Sequence, residues 1–210
     1  MKKSLKSIIM SGLFCISCVV YALTPNQLLD QKLQGFKSLS ANFNQTVSSD
    51  DGAVLQKSSG SFVILRPGKF NWTVKLPITQ ELITDGQSLW IYEPDLEQVT
   101  IRKLGTNLGQ TPLVLLTNQH ANLKNSFNVS QVNDHTFVLL PKSSKDNFKK
   151  VTLTFTNNTP ASLSLINQLN QSTTINFSNV KLNPPVNVNQ FRFAIPKGVD
   201  VINLTKRGAS

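Results

Sequence analysis

From Gly60 to Arg102 the side chains follow a period of two, and this constrains the fold more than any other feature of the chain. Phe70, Trp72, Val74 and Leu76 alternate with Lys69, Asn71, Thr73 and Lys75. One sheet face is therefore large and apolar and the other wet. Pro67-Gly68 supplies the turn in front of this strand, Pro through its fixed φ and Gly by accepting φ > 0. Asp85-Gly86 marks a hairpin between two further strands. The stretch reads as a meander of long antiparallel strands with bulky aromatics on its inward face.

The flanking chain extends this pattern and adds two helices. Thr24-Pro25-Asn26-Gln27 is a helix start, with Thr as N-cap, Pro at N1 and Gln closing a capping box. Leu29, Leu33 and Phe36 then share one helical face. Ala41, Phe43, Gln45 and Val47 form one side of a strand that ends in the Asp50-Asp51-Gly52 turn, and Val54 to Leu65 is the next. Its close, Phe62-Val63-Ile64-Leu65, is apolar on both faces, so a cover over the second face is expected. Gly105 to Gly109 is a flexible break before Thr111-Pro112, a second Thr-Pro start. That start opens the short helix Leu113-Val114-Leu115-Leu116, which is apolar all round. It is either a buried connector or a lid over an apolar cavity. Strands resume at 127–132, 136–140, 149–156, 162–169 and 173–182, the last shifting phase near Ser178 as at a bulge. Phe191 and Phe193 make a final short strand before a polar, frayed tail.

Two hundred and ten residues with 40% hydrophobic content suit one domain with a sizeable core. Residues 1–22 have the form of a secretory signal: Lys2, Lys3 and Lys6, an apolar run from Ile8 to Tyr21, and Val20-Tyr21-Ala22 as a small-residue cleavage site. The reading is a removed leader, 1–22, and a single domain, 23–210, exported and soluble. Both cysteines, Cys15 and Cys18, fall in the leader, so disulfides do not stabilise the mature domain. Cys18 is a poor match to a lipidation site, because Cys15-Ile16-Ser17 precedes it where Leu and small residues are usual. The net charge of +10 favours anionic surfaces, but the basic residues are scattered and lack the interleaved aromatics of a nucleic-acid groove.

Catalytic machinery is hard to assemble from these residues. His120 and His135 have no metal-ligand spacing, and neither a nucleophile elbow nor a phosphate-binding glycine loop occurs. Glu93, Asp95 and Glu97 mimic an acid pair but lie on a strand edge and turn, where carboxylates are solvated. The reading is a non-enzyme without metal or cofactor. A strongly curved sheet with oversized inward side chains and helices to close it points instead to an apolar ligand cavity.

Arg66-Pro67-Gly68-Lys69-Phe70-x-Trp72, then Pro77 and Gln80, Asp85-Gly86-x-x-Leu89-Trp90-x-Tyr92, and Asp95-Leu96-Glu97-Gln98-Val99-Thr100 follow one another at close spacing. With the closing Phe191-x-Phe193-x-x-Pro196-x-Gly198-Val-Asp-Val-Ile, this series resembles the outer-membrane lipoprotein carrier (LolA) family of Gram-negative bacteria. The resemblance implies a mainly β, unclosed and strongly curved antiparallel barrel of about eleven strands, with helices as a lid over an apolar cavity. It implies triacylated lipoproteins as cargo, an ATP-driven inner-membrane transporter that loads the carrier and an outer-membrane receptor that empties it. Arg66, by position alone a solvated rim residue, becomes the latch that bonds lid carbonyls and holds the empty cavity shut. Phe70 and Trp72 are assigned to the cavity or its mouth, and Leu33, Phe36, Phe43, Leu113, Leu115 and Leu116 are weaker candidates for its lining. Two alternatives stay open at this point: a receptor of the same fold anchored through Cys18, and a basic surface protein that binds polyanions.

Overall fold

The computed structural model describes residues 23–104, 112–117, 123–143 and 146–205. The expected leader with both cysteines, the expected break at Gly105–Gly109, Thr111 and His120 lie outside them. Helix α1 (Pro25–Gln34) begins as its sequence dictates. Thr24 Oγ1 accepts from the Gln27 N–H at 3.4 Å, and the Gln27 side chain accepts from the Thr24 N–H at 2.8 Å. Leu29 and Leu33 are its buried residues, with Phe36 buried just beyond its end.

Twelve strands follow: β1 (Ser38–Ser48), β2 (Val54–Leu65), β3 (Lys69–Leu76), β4 (Gln80–Thr84), β5 (Ser88–Glu93), β6 (Gln98–Lys103), β7 (Phe127–Asn133), β8 (Thr136–Pro141), β9 (Phe148–Thr156), β10 (Thr159–Asn167), β11 (Ser172–Leu182) and β12 (Asp200–Asn203). They form one sheet in the order β12-β6-β5-β4-β3-β2-β1-β11-β10-β9-β8-β7. The first meander thus meets the second where β1 pairs with β11, from Leu39↔Leu182 to Ser48↔Ser172. The register slips between Ser40↔Lys181 and Asn42↔Ser178, the bulge expected near Ser178, and Asn179 takes φ 51° there. The edge strands β7 and β12 do not pair with each other, so the barrel stays open. Its curvature gathers inward residues of both meanders, such as Phe43, Phe62 and Trp72 with Phe137, Phe155 and Ile175, into one core cluster with α1.

Between β6 and β7 lie a 3-10 helix, Pro112–Thr117, and the four-residue helix α2 (Leu123–Ser126). Leu113, Leu115 and Leu116 of the 3-10 helix are buried in the same cluster as the sheet's inner face. These three leucines of an otherwise apolar helix are stable here because the sheet's inner face covers them.

The C-terminal segment departs from its sequence reading. Phe191 closes a 3-10 turn, Val188–Phe191, and the last strand is β12, in the stretch expected to be a frayed tail. After β11 the chain is held by the Asn183 N–H on Ser38 O and the Ser38 hydroxyl on Pro184 O, both at 2.8 Å. It then crosses the convex face, where Asn71 Nδ2 donates to Gln190 O at 3.2 Å and Phe193 lies 5.4 Å from the Tyr92 ring. Finally it pairs as β12, parallel to β6, with Asp200 opposite Gln98. Phe191, Ile83 and Val99 are buried outside the main cluster, so this strap makes a thin second apolar layer on the convex side. Trp90 pairs with Ile83 and belongs to that outer face. Val63 and Leu65 stay only partly covered, so the shelter expected over β2 is incomplete.

Candidate functional site

Arg66 follows the last residue of β2 and precedes the Pro67-Gly68 turn into β3. Its backbone N–H donates to Lys37 O at 2.9 Å, which fixes where the side chain begins. The guanidinium reaches two separate pieces of chain. Nε and Nη2 donate to Leu116 O of the Pro112–Thr117 helix at 2.9 and 2.7 Å. Nη1 donates to Phe36 O at 3.1 Å and to Leu33 O. The physical fit is close. The last carbonyls of an α-helix have no partner within it, and its C-terminal end carries partial negative charge. A planar cation with five donors satisfies several of them at once. The guanidinium carbon lies 3.8 Å from the Phe36 ring centroid, which adds a cation–π contact. Desolvation pulls the Arg66 pKa down to about 10, still far above neutrality, so the group remains charged. Beside it the Gly68 N–H donates to Thr117 O at 3.1 Å and pins the end of the same helix.

All eight apolar candidates, Leu33, Phe36, Phe43, Phe70, Trp72, Leu113, Leu115 and Leu116, fall in one cluster. Their division between lining and packing is unequal. A pocket of about 300 Å³ lies at the far end of β3 from Arg66, and of the eight only Trp72 and Leu113 border it. The other six are packed against one another, with Phe70 and Leu116 fully buried. The oversized inward side chains fill most of the barrel, so the space left is smaller than the open apolar cavity expected. Leu113, which borders the pocket, stands three residues before Leu116, whose carbonyl Arg66 holds, so one short helix links the two.

The pocket wall is apolar below and polar above. Trp72 stacks on Phe43 with ring centroids 3.6 Å apart, and Phe62 lies 5.6 Å from it on the other side. Gly60 makes this stack possible: a Cβ there would meet Thr73 O at 1.9 Å and the Phe43 ring at 2.9 Å. Gln45, Gln56, Gln80 and Glu93 form the upper part, and Gln80 Nε2 donates to Glu93 Oε1 at 3.1 Å. Sequence reasoning missed both features. The available signals were a lone glycine inside a strand, among small serines, and Gln45 standing on the face of Phe43. A further tie joins α1 to the opposite wall. Lys32 Nζ donates to Asn158 Oδ1 at 3.1 Å in the β9–β10 turn and lies 5.5 Å from the Phe155 ring. Of the chemistry-bearing residues, His135 is exposed in the β7–β8 turn, while Asp95 and Glu97 are exposed beside a 3-10 turn. No helix among the described residues is long and apolar enough to cross a membrane.

Known proteins share this chain's sequence over nearly its whole length. It is 37% identical over 193 residues to an outer-membrane lipoprotein carrier protein of Legionella pneumophila (strain Corby), covering 90% of this chain and 95% of that one. A protein of the same name from Hahella chejuensis is 39% identical over 175 residues, covering 81% and 84%. One from Pseudomonas putida KT2440 is 35% identical over 206 residues, covering 95% and 99%. The fold is similar to that of an uncharacterised conserved protein from Thermus thermophilus, with TM-score 0.52 at 11% identity, covering 84% of this chain and 96% of that one. Residues 34–194 match the family described as outer membrane lipoprotein carrier protein LolA, and the chain belongs to that family.

Proposed function

We propose that this protein is a soluble periplasmic carrier that shelters the acyl chains of lipoproteins on their way to the outer membrane, with no catalytic step of its own. The family membership and the relatives' name support the cargo class. The observation that carries the mechanism is the lid: Leu113, Leu115 and Leu116 lie buried on the barrel's inner face, yet Arg66 and Gly68 hold their helix through backbone carbonyls. Hydrogen bonds to backbone can open and re-form without unpacking any strand. Burial of an acyl chain is worth about 0.8 kcal/mol per methylene, so a long chain exposed to water costs roughly 10 kcal/mol, and diffusion needs a shelter. A methylene occupies about the ~30 Å³ share of one liquid water, so the 300 Å³ pocket takes on the order of ten. Full loading therefore requires Arg66 to release the lid. An inner-membrane transporter that drives loading and an outer-membrane receptor that accepts cargo complete the cycle, and cleavage after Ala22 yields the exported form.

The test is co-purification of the exported protein with a radiolabelled lipoprotein in the absence of detergent, with mass spectrometry of its N-terminus. A soluble one-to-one complex and a chain beginning at Leu23 are expected. An acylated Cys18 would instead make the chain an anchored receptor, and a lipoprotein that stays with the membrane would end the carrier reading.

A further inference from the structure

On four strands of the first meander the inward side chains turn from apolar to polar towards the same end of the barrel. Phe43 gives way to Gln45 on β1, Phe62 and Gly60 to Ser58 and Gln56 on β2, Leu82 to Gln80 on β4, and Ile91 to Glu93 on β5. The register brings these positions together. Gln45 stands opposite Ser58, and Gln80 bonds Glu93 across β4 and β5. All five polar residues border the 300 Å³ pocket, whose floor is Trp72, Leu82, Leu113 and Ile175. They are not an ordinary wet rim: Ser58 is buried, Gln45, Gln80 and Glu93 are half-buried, and Gln56 alone of the five is exposed. Among the described residues the side-chain amides of Gln45 and Gln56 bond to no protein group. The Glu93 carboxylate, which has about four acceptor sites, takes a single bond there, from Gln80. Lys57 and Lys75 alternate onto the other sheet face, and no cation is among the described residues that line the pocket.

A wall that only holds hydrocarbon gains nothing from a carboxylate, because covering an unpaired charge is costly. An anion with spare acceptor sites beside amides that can donate suits an uncharged group carrying both N–H and C=O. We propose that Glu93, with Gln45 and Gln80, forms a selectivity collar that bonds the amide and ester linkages of an N-acylated, S-diacylglyceryl cysteine and turns phospholipids away. The proposal rests on the carrier reading in one respect, that acyl chains occupy the floor below. That floor cannot tell the two lipids apart, since their chains are alike and only their linkages differ. In the collar Glu93 accepts from the N-acyl amide N–H, and the glutamine amides donate to ester carbonyls. A phosphodiester brings a second negative charge beside Glu93 in a partly desolvated wall, where like charges repel more strongly than in water. Selectivity thus comes from one attraction and one repulsion centred on the same carboxylate.

Calorimetric titration of the purified, cargo-free protein tests this with three lipids whose chains are short enough to keep them monomeric. They are N-octanoyl-S-(dioctanoylglyceryl)cysteine methyl ester, the same compound methylated at its amide nitrogen, and dioctanoyl phosphatidylglycerol. Wild type should bind the cysteine lipid about ten-fold or more tightly than phosphatidylglycerol, and amide methylation should cost it about ten-fold. Glu93→Gln keeps the side chain's size and an oxygen for Gln80, so the fold is retained. It should shrink the ratio between the first and third lipids by about ten-fold and blunt the effect of methylation, since an uncharged acceptor bonds less strongly. Gln45→Leu should weaken both diacylglyceryl lipids alike, because both carry the ester carbonyls. Equal affinity of wild type for the cysteine lipid and phosphatidylglycerol overturns the collar and leaves the carrier reading in place. So does a ratio that Glu93→Gln does not change, or methylation without cost. If wild type binds none of the three, the carrier reading falls and the collar falls with it.

Discussion

Arg66 gathers carbonyls from Leu33 and Phe36 at the end of α1 and from Leu116 in the lid. Replacing it with Leu removes hydrogen bonds to a charged group, worth about 1.5–3 kcal/mol each. The closed state loses that stabilisation and the open one does not, so Arg66→Leu should hold lipoprotein more tightly and pass it on less readily. Transfer of bound lipoprotein to receptor-bearing membranes measures this, and normal transfer would reduce Arg66 to an ordinary helix cap. Arg66→Lys should restore release only in part, because one ammonium cannot serve carbonyls on two elements in a fixed fork. The residue stays charged through the neutral range, since burial lowers its pKa only to about 10. Gly60 offers a residue-scale test of a different kind. Gly60→Ala drives a Cβ into Thr73 O and the Phe43 ring, and a loss of about 1–3 kcal/mol in chemical denaturation is expected. A neutral result would mean that the Phe43–Trp72 stack shifts freely.

Among the elements, the lid and the strap should respond differently to damage. Leu115→Asp places a carboxylate against the barrel interior at a cost of several kcal/mol while the lid is closed. The sheet does not hydrogen-bond through this 3-10 helix, so the variant should keep its β-sheet spectrum and lose cargo retention. Global unfolding would show instead that the lid belongs to the indispensable core. Phe191→Ala empties the centre of the convex layer and should cost about 3–5 kcal/mol in thermal or denaturant melts, with the cargo site itself intact. Strand positions were legible in the sequence wherever apolar and polar residues alternate over a half-buried surface, as from Phe70 to Leu76. β12 was not, because Asp200–Asn203 is exposed throughout and its backbone pairing alone makes it a strand. Phe191-x-Phe193 alternates like a strand but packs as a 3-10 turn and an extended segment, held by contacts with Asn71 and Tyr92, which are far away in sequence.

At the scale of the molecule, Arg66 and the pocket meet through one short helix, which Arg66 holds at Leu116 O and which borders the pocket at Leu113. Release at Arg66 should therefore loosen the lid without disturbing the strands. Hydrogen exchange upon loading checks this: faster exchange confined to 112–117 and the α1–β1 junction is expected, and exchange spread through β3 and β4 would contradict it. An environment-sensitive dye should bind native protein weakly, bind Arg66→Leu more strongly, and be displaced by lipoprotein. Arg66 was singled out in the sequence by the motif around it, and the structure puts its guanidinium on the carbonyls of Leu33, Phe36 and Leu116, whereas lining and packing were not separable. Leu113 and Leu116 have the same chemistry, and only their position relative to Gln45 and Gln80 sets one against the pocket and the other inside.

The seam between β1 and β11 also has a kinetic side. Leu39 meets Leu182 across almost the whole length of the domain, so the two meanders cannot be zipped together until the chain is complete through β11. Closing so long a loop before any contact within it is secured is slow, and barrels rich in such pairings fold in milliseconds to seconds. Until then β1 offers a bare edge with Phe43 beside it, the kind of surface that joins other chains. Refolding yield should therefore fall steeply with protein concentration, and a chain that stops short of Ser172 should aggregate even though its first meander is entire.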